Sequence, residues 1–207
     1  VNGETLAGAT TGTLSFGTTA TSTSNVGSYG ITGSGLTANN GNYTFVQAGG
    51  NSSALSITAA PLTVTATNDS KTYNGLTYSG GNGVTFSGFV NGETSSVLGG
   101  TLSFSGNSQG AVNAGSYTLT PQGLTSSNYA LTFGNGTLTV SPATLTYTAN
   151  AASRTYGASN PALSGSVTGL VNGETLAGAT TGTLSFGTTA TSASNAGSYG
   201  ITGSGLT

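Results

Sequence analysis

Few residues in this chain are equipped for polar chemistry, and their spacing limits what they could do. Among 207 residues the acids are Glu4, Asp69, Glu93 and Glu174, and the cations are Lys71 and Arg154. There is no His and no Cys. Gly106-Asn107-Ser108-Gln109-Gly110 fits the G-x-S-x-G pattern of a hydrolase nucleophile. That pattern works only with a His base and a strand-to-helix turn, so here it is a chance match in a Gly- and Ser-rich chain. Glycoside cleavage needs two carboxylates in one site, and each repeated block carries one recurring Glu. The same count falls short of the several oxygen ligands of a Ca²⁺ site. Without Cys there is neither a disulfide framework nor a thiolate metal site. The expectation is a chain with no catalytic residue, no metal and no cofactor.

The charges have a structural use instead. Lys71 with Glu93, and Arg154 with Glu174, place one cation and one acid in each block. They are expected to form an ion pair between the first loop and the mid-block turn, or else to stand exposed and unpaired. An exposed pair contributes only about 0–1 kcal/mol. Nine Tyr could stack on sugars. Several recur at the starts of apolar-alternating segments, which favours core or cross-strand packing. Tyr73 and Tyr156 are kept as candidates for glycan stacking. Two cations cannot supply the basic face that phosphate binding requires, so no nucleic-acid partner is expected. No run approaches the roughly 18 apolar residues of a membrane span, so no membrane insertion is expected in this segment.

The elements that carry these residues recur along the chain. Val1–Thr37 returns as Val171–Thr207 with two differences, Thr23 against Ala193 and Val26 against Ala196. Between them lies a more divergent copy. VNGET begins at Val1, Val90 and Val171; GTLSF at Gly12, Gly100 and Gly182; GSY at Gly27, Gly115 and Gly197; GLT at Gly35, Gly123 and Gly205. SKTY at Ser70–Tyr73 matches SRTY at Ser153–Tyr156. The array alternates two unlike repeats. Residues 1–58 read as the C-terminal part of a type A repeat, 59–141 as a complete type B repeat, and 142–207 as the N-terminal part of the next type A repeat.

Composition and pattern agree on β structure. Charged residues are 3% of the chain, against about 25% in ordinary globular domains. With net charge −2 and 34% hydrophobic residues, the chain lacks the high charge that usually accompanies disorder. Period-2 alternation marks strands. Leu62, Val64 and Ala66 share one face and threonines the other, and Leu145, Tyr147 and Ala149 repeat the pattern. Leu138 with Val140, Tyr117 with Leu119, and Leu55 with Ile57 do the same. Asn-Gly steps at Asn2, Asn40, Asn74, Asn82, Asn91, Asn135 and Asn172 favour the φ > 0 turns of hairpins. The clearest predicted hairpin is Tyr129–Phe133, Gly134-Asn135-Gly136, Thr137–Val140. No long segment has helical periodicity. Single helical turns are predicted after Glu4, Glu93 and Glu174, with Thr94 able to cap its turn.

SKTYNG (Ser70–Gly75), SRTYGA (Ser153–Ala158), VNGE and NYALTFGNGTLTVSPATLTY (Asn128–Tyr147) resemble MBG domains of the YGX type, with YDG domains a close second. Asn74 departs from the Gly usual at its position, and the block starting at Leu62 lacks the Pro that Pro161 supplies in the next one. The resemblance implies an all-β fold of small tandem β-grasp-like or β-sandwich domains strung as an elongated rod. It implies large secreted bacterial adhesins or haemagglutinin-like proteins, a location at the cell surface, and no catalytic residues. The expected role is a non-catalytic structural repeat of an adhesin or surface filament. A glycan- or mucin-binding module, or an accessory array of a larger secreted enzyme, are the alternatives. The expected partners are further copies of itself through β edges, or a surface glycan.

Overall fold

The computed structural model describes residues 3–207; Val1 and Asn2, which open the first VNGET copy and include its Asn-Gly step, lie outside the described residues. The chain is all-β with two four-residue helices. The strands are β1 (Thr10–Gly17), β2 (Gly27–Tyr29), β3 (Thr32–Ala38), β4 (Leu55–Ile57), β5 (Ala60–Ala66), β6 (Asp69–Thr72), β7 (Val84–Ser87) and β8 (Gly99–Ser105). There follow β9 (Gly115–Thr125), β10 (Tyr129–Gly134), β11 (Gly136–Ser141), β12 (Thr146–Ala149), β13 (Gly165–Thr168), β14 (Gly182–Thr188) and β15 (Ile201–Leu206).

The predicted alternation sets the burial. In β5, Leu62, Val64 and Ala66 are buried while Pro61 and Thr63 are exposed. In β11, Leu138 and Val140 are buried and Thr139 is exposed. β12 repeats the pattern more weakly, with Tyr147 and Ala149 half-buried. Thr suits this outer face because its branched Cβ favours the pleated backbone and its hydroxyl stays in water.

The chain divides into two compact units, Val1–Thr67 with Gly83–Phe104 and Thr120–Asn135, and Asn68–Asn82 with Ser105–Leu119 and Gly136–Thr207. In the first unit, β5 lies between β10, which it meets in parallel, and β7, which it meets antiparallel. β1 pairs with β3, and β2 with β4, both antiparallel. Phe89 bridges Phe86 and Tyr129, with centroids 5.4 Å from each. In the second unit, β11 lies between β6, in parallel, and the Gly115–Leu119 half of β9, antiparallel. Leu138, Val140 and Ala111 form a buried cluster with Tyr73, Tyr78 and Tyr117 packed against it. β12–β13 and β14–β15 complete this unit as antiparallel pairs.

The VNGET segments end in helical turns, as predicted. α1 (Leu6–Ala9) and α2 (Leu176–Ala179) follow Thr5 and Thr175, whose hydroxyls accept from the amides of Gly8 and Gly178. Thr94 accepts from the amide of Ser96 ahead of the 3₁₀ turn Ser95–Val97. A Thr cap satisfies one amide that the first turn leaves without a partner.

The predicted hairpin at Gly134-Asn135-Gly136 does not form. β10 pairs with β5 and β11 with β6 and β9, so the two strands belong to different sheets. A two-residue I′ turn needs φ > 0 at both central residues. Asn40, Asn91 and Asn172 adopt it, but neither Asn135 nor Gly136 does. Asn135 joins β10 to β11 without such a turn, and each strand takes partners of its own. The outcome is two parallel pairings, β5 with β10 and β6 with β11, which no hairpin can produce.

Candidate functional site

The charged residues are placed by strand ends and turns, and each has a specific neighbour. The hydroxyl of Tyr129, at the start of β10, donates to the Glu93 carboxylate and accepts from the Val90 amide 3.1 Å away. Tyr43 donates to Glu4, Tyr73 to Glu174, and Tyr78 to Asp69, the last at 2.7 Å. All four carboxylates of the sequence are therefore held by a Tyr hydroxyl. Tyr43 and Tyr129 stand at the same place in their repeats, in the Asn-Tyr step downstream of VNGET. The Tyr–Glu contact is thus a repeated feature. Sequence reasoning missed it, although NY and VNGE recur together and that joint recurrence was its signal.

Lys71 and Arg154 each donate to oxygens of turns and loops. Lys71 Nζ donates to the Leu76 carbonyl at 2.6 Å. Arg154 donates to Asn160 Oδ1 at 2.7 Å, to the Thr155 carbonyl at 3.2 Å, and to the Thr191 carbonyl. Tyr73 is half-buried against the Ala111–Leu138–Val140 cluster, whereas Tyr156, its counterpart in the next repeat, is 70% exposed. Tyr156 lines an open groove of about 500 Å³ with Arg154, Asn160, Leu163 and Tyr199.

The Ser of the G-x-S-x-G match is fully buried. Its hydroxyl accepts from the Gln109 amide at 3.0 Å, and its own amide donates to the Thr118 carbonyl. Ser108 thus anchors a turn against β9 and reaches no solvent. Among the described residues no three His, Cys, Asp or Glu gather in a way that could hold a metal. No helix among them is long and apolar enough to cross a membrane.

Carboxylate contacts shift the tyrosines in one direction. Hydrogen bonding to Glu4, Glu174 and Glu93 raises the pKa of Tyr43, Tyr73 and Tyr129 respectively, because ionising the phenol would set two anions face to face. Tyr78 is pushed up from 10.0 to about 12, first by burial and then by its bond to Asp69. A folded-state pKa above the unfolded value gives stability that is complete below pH 10.0 and is lost as pH rises toward about 12. The chain should therefore lose stability between those two values, and Tyr78→Phe should flatten the fall. Ultraviolet titration of phenolate, run beside thermal melts, checks this. A wild-type titration with no component above the ordinary Tyr range would show the Tyr78 assignment to be wrong.

Small clefts lie where successive repeats meet. Asn91 and Asn172, both with φ above +50°, sit at the same place in VNGET and reach back into the preceding repeat. Asn91 donates to the Ser22 carbonyl at 2.8 Å and Asn172 to the Gly75 carbonyl at 3.1 Å. In the first unit Asn128 adds bonds to Asn25 Oδ1 and from the Val26 amide. These contacts join and position; none presents a reacting group.

The family model of the MBG domain (YGX type) matches residues 1–53, 62–139 and 145–207. No curated protein and no solved structure matches the chain. With the Thr-capped turn of VNGET present in all three matched stretches, the chain belongs to the family of MBG domains of the YGX type, as a tandem array.

Proposed function

We propose that this chain is a structural repeat segment of an extracellular bacterial adhesin or surface filament, and that it projects or connects rather than catalyses. The observation that carries the reading is the use made of the acids. All four carboxylates are engaged by Tyr hydroxyls within the fold, and an acid so held serves architecture. Membership of a tandem-repeat family supports the same reading. So does the low charge: with so few ion pairs to screen, assembly would vary little with salt. The boundaries 1–58, 59–141 and 142–207 are proposed as the repeat units.

The test is surface shaving of intact producing cells with a broad-specificity protease. Peptides from this segment should be released before lysis. Their release only after lysis would defeat the extracellular placement.

A glycan-binding module is the second reading, and the groove containing Tyr156 favours it, since an exposed ring beside Arg154 is a sugar-stacking arrangement. The counterpart Tyr73 is instead packed against the core and bonded to Glu174. A glycan array on which binding is lost in Tyr156→Ala would favour this second reading.

A further inference from the structure

The middle repeat has a neighbour on each side within the chain: its matched stretch, 62–139, lies between the matched stretches 1–53 and 145–207. A pull passed along the array therefore enters it through β5 and leaves it through β11. The opening strands of this repeat, β5 and then β6, are paired with its closing strands, β10 and then β11. In the first unit β5 and β10 run parallel, Ala60 with Tyr129 through Thr65 with Gly134. In the second unit β6 and β11 run parallel, Asp69 with Leu138 through Thr72 with Ser141. Both ladders keep one offset of 69 residues, and so does the bond from the Thr137 amide to Asn68 Oδ1 at 2.9 Å. Backbone bonds close the outer end of each. The Ala60 amide donates to the Asn128 carbonyl at 3.0 Å, and the Tyr73 amide to the Ser141 carbonyl at 2.7 Å.

Strand direction decides how these bonds are loaded. β5 is pulled from its Ala60 end, and β10 from its Gly134 end, because the chain leaves through β11. In a parallel pair those are opposite ends of the ladder. The pull then runs along the strands, and the ladder yields only by sliding, with its bonds sharing the load. The same holds for β6, pulled from Asp69, and β11, pulled from Ser141. Were either pair antiparallel, the two pulled ends would lie together and the bonds would open one at a time.

Packing keeps the ladders dry. Leu62 and Val64 on β5, and Leu138 and Val140 on β11, are exposed by 2% or less. A hydrogen bond away from water is stronger than one within it. Residues 73–128, which join β6 to β10, are bypassed, because tension crosses from the opening strands to the closing strands through the ladders. The Thr94-capped turn and the Ser108 turn lie in that stretch and are spared.

We infer that the repeat bears tension along its array, and that the parallel ladders β5–β10 and β6–β11 are its mechanical clamp. The inference deepens the structural reading proposed above and rests on it, but the two fail separately. Surface shaving tests where the segment lies, and rupture force tests what the ladders do.

The chain has no Cys, so thiol-linked handles attach only where a Cys is introduced. One full-length chain carries Ala59→Cys and Ser141→Cys, and a second carries Ala59→Cys and Ser127→Cys, all at exposed positions. The first pair pulls the ladders from opposite ends. The second pulls β5 and β10 from the same end, next to the Ala60–Tyr129 pair. Both chains are stretched in a force spectrometer at one loading rate. Opening of the first should release roughly 270–300 Å of chain, the extended length between its handles. Forced unfolding follows the unfolding barrier rather than overall stability, so the same contacts should resist unequally. The expected rupture force is at least about two-fold higher from opposite ends than from the same end. Asn68→Ala removes one rung of the second-unit pairing. It should lower the opposite-end force by about a tenth or more, as the loss of one shared hydrogen bond, and leave the same-end force unchanged. An opposite-end force no higher than the same-end force overturns the clamp, and so does an Asn68→Ala effect confined to the same-end pull.

Discussion

Replacing Leu138 with Ala should destabilise the protein by about 3–5 kcal/mol, the upper part of the range for buried Leu→Ala changes. Leu138 has no exposed surface, and its neighbours cannot collapse into the space it leaves. Ala111 is already small. Tyr73 and Tyr78 are tethered at their hydroxyls by Glu174 and Asp69, so moving either ring inward breaks a hydrogen bond to a carboxylate. β11 is pinned on both edges, by β6 and β9. The residual cavity should therefore stay open, and the loss should exceed the transfer free energy of the removed atoms. Leu55 is an internal control. It holds the same place in its repeat, but among the described residues β4 pairs with β2 alone and Leu55 is only half-buried. Leu55→Ala should cost about 1–2 kcal/mol, the share left when only part of a Leu side chain leaves water on folding. Urea unfolding followed by circular dichroism compares the two. Equal losses would mean that β11 is not the enclosed strand described here.

That contrast shows what the sequence could and could not reveal. Alternation told which side of a strand faces inward, because side chains change face at every residue. Leu62, Val64 and Ala66 are buried on that account. It did not tell which strand lies alongside. β5 and β10 are far apart in sequence and run parallel, and no turn residue announces such a pairing. The Asn135-Gly136 step misled for the same reason. A turn dipeptide permits a reversal but does not compel one, and the pull of two separate sheets on β10 and β11 outweighs it. The Thr caps were legible because a cap and its amide are two or three residues apart. The Tyr–Glu contacts link residues 36 to 101 apart, beyond the reach of any local pattern.

Gly123→Ala should be as damaging as the loss of a core Leu, for a reason independent of burial. In each matched stretch the Gly of GTLSF meets the Gly of GLT across an antiparallel pair. A Cβ on Gly123 would lie 2.2 Å from the Thr101 carbonyl oxygen, and one on Gly100 would lie 2.1 Å from the Gly123 oxygen. Gly35 and Gly205 stand 2.1 Å by the same measure from the Thr13 and Thr183 oxygens. The atoms approached belong to backbone, so relief requires the strands to part. The register shifts at this point in β1–β3 and β14–β15 mark it as a bulge, and bulges re-aim strands through conformations that favour Gly. Gly123 also has φ +90°, a strained state for Ala worth on the order of 1–3 kcal/mol. Overpacking adds about 1–3 kcal/mol, for a combined loss of about 2–6 kcal/mol. Two further substitutions separate these causes. Gly110 has φ +85° but nothing within 4 Å, so Gly110→Ala should show the backbone part alone. Gly49 has neither constraint, and Gly49→Ala should be neutral or slightly stabilising, since Ala restricts the unfolded chain. The expected order of unfolding midpoints is Gly49→Ala highest, Gly110→Ala lower and Gly123→Ala lowest. If Gly123→Ala unfolds no earlier than Gly110→Ala, the close approach of β8 and β9 is not what selects glycine at this position, and the repetition of the pair along the array would need another cause.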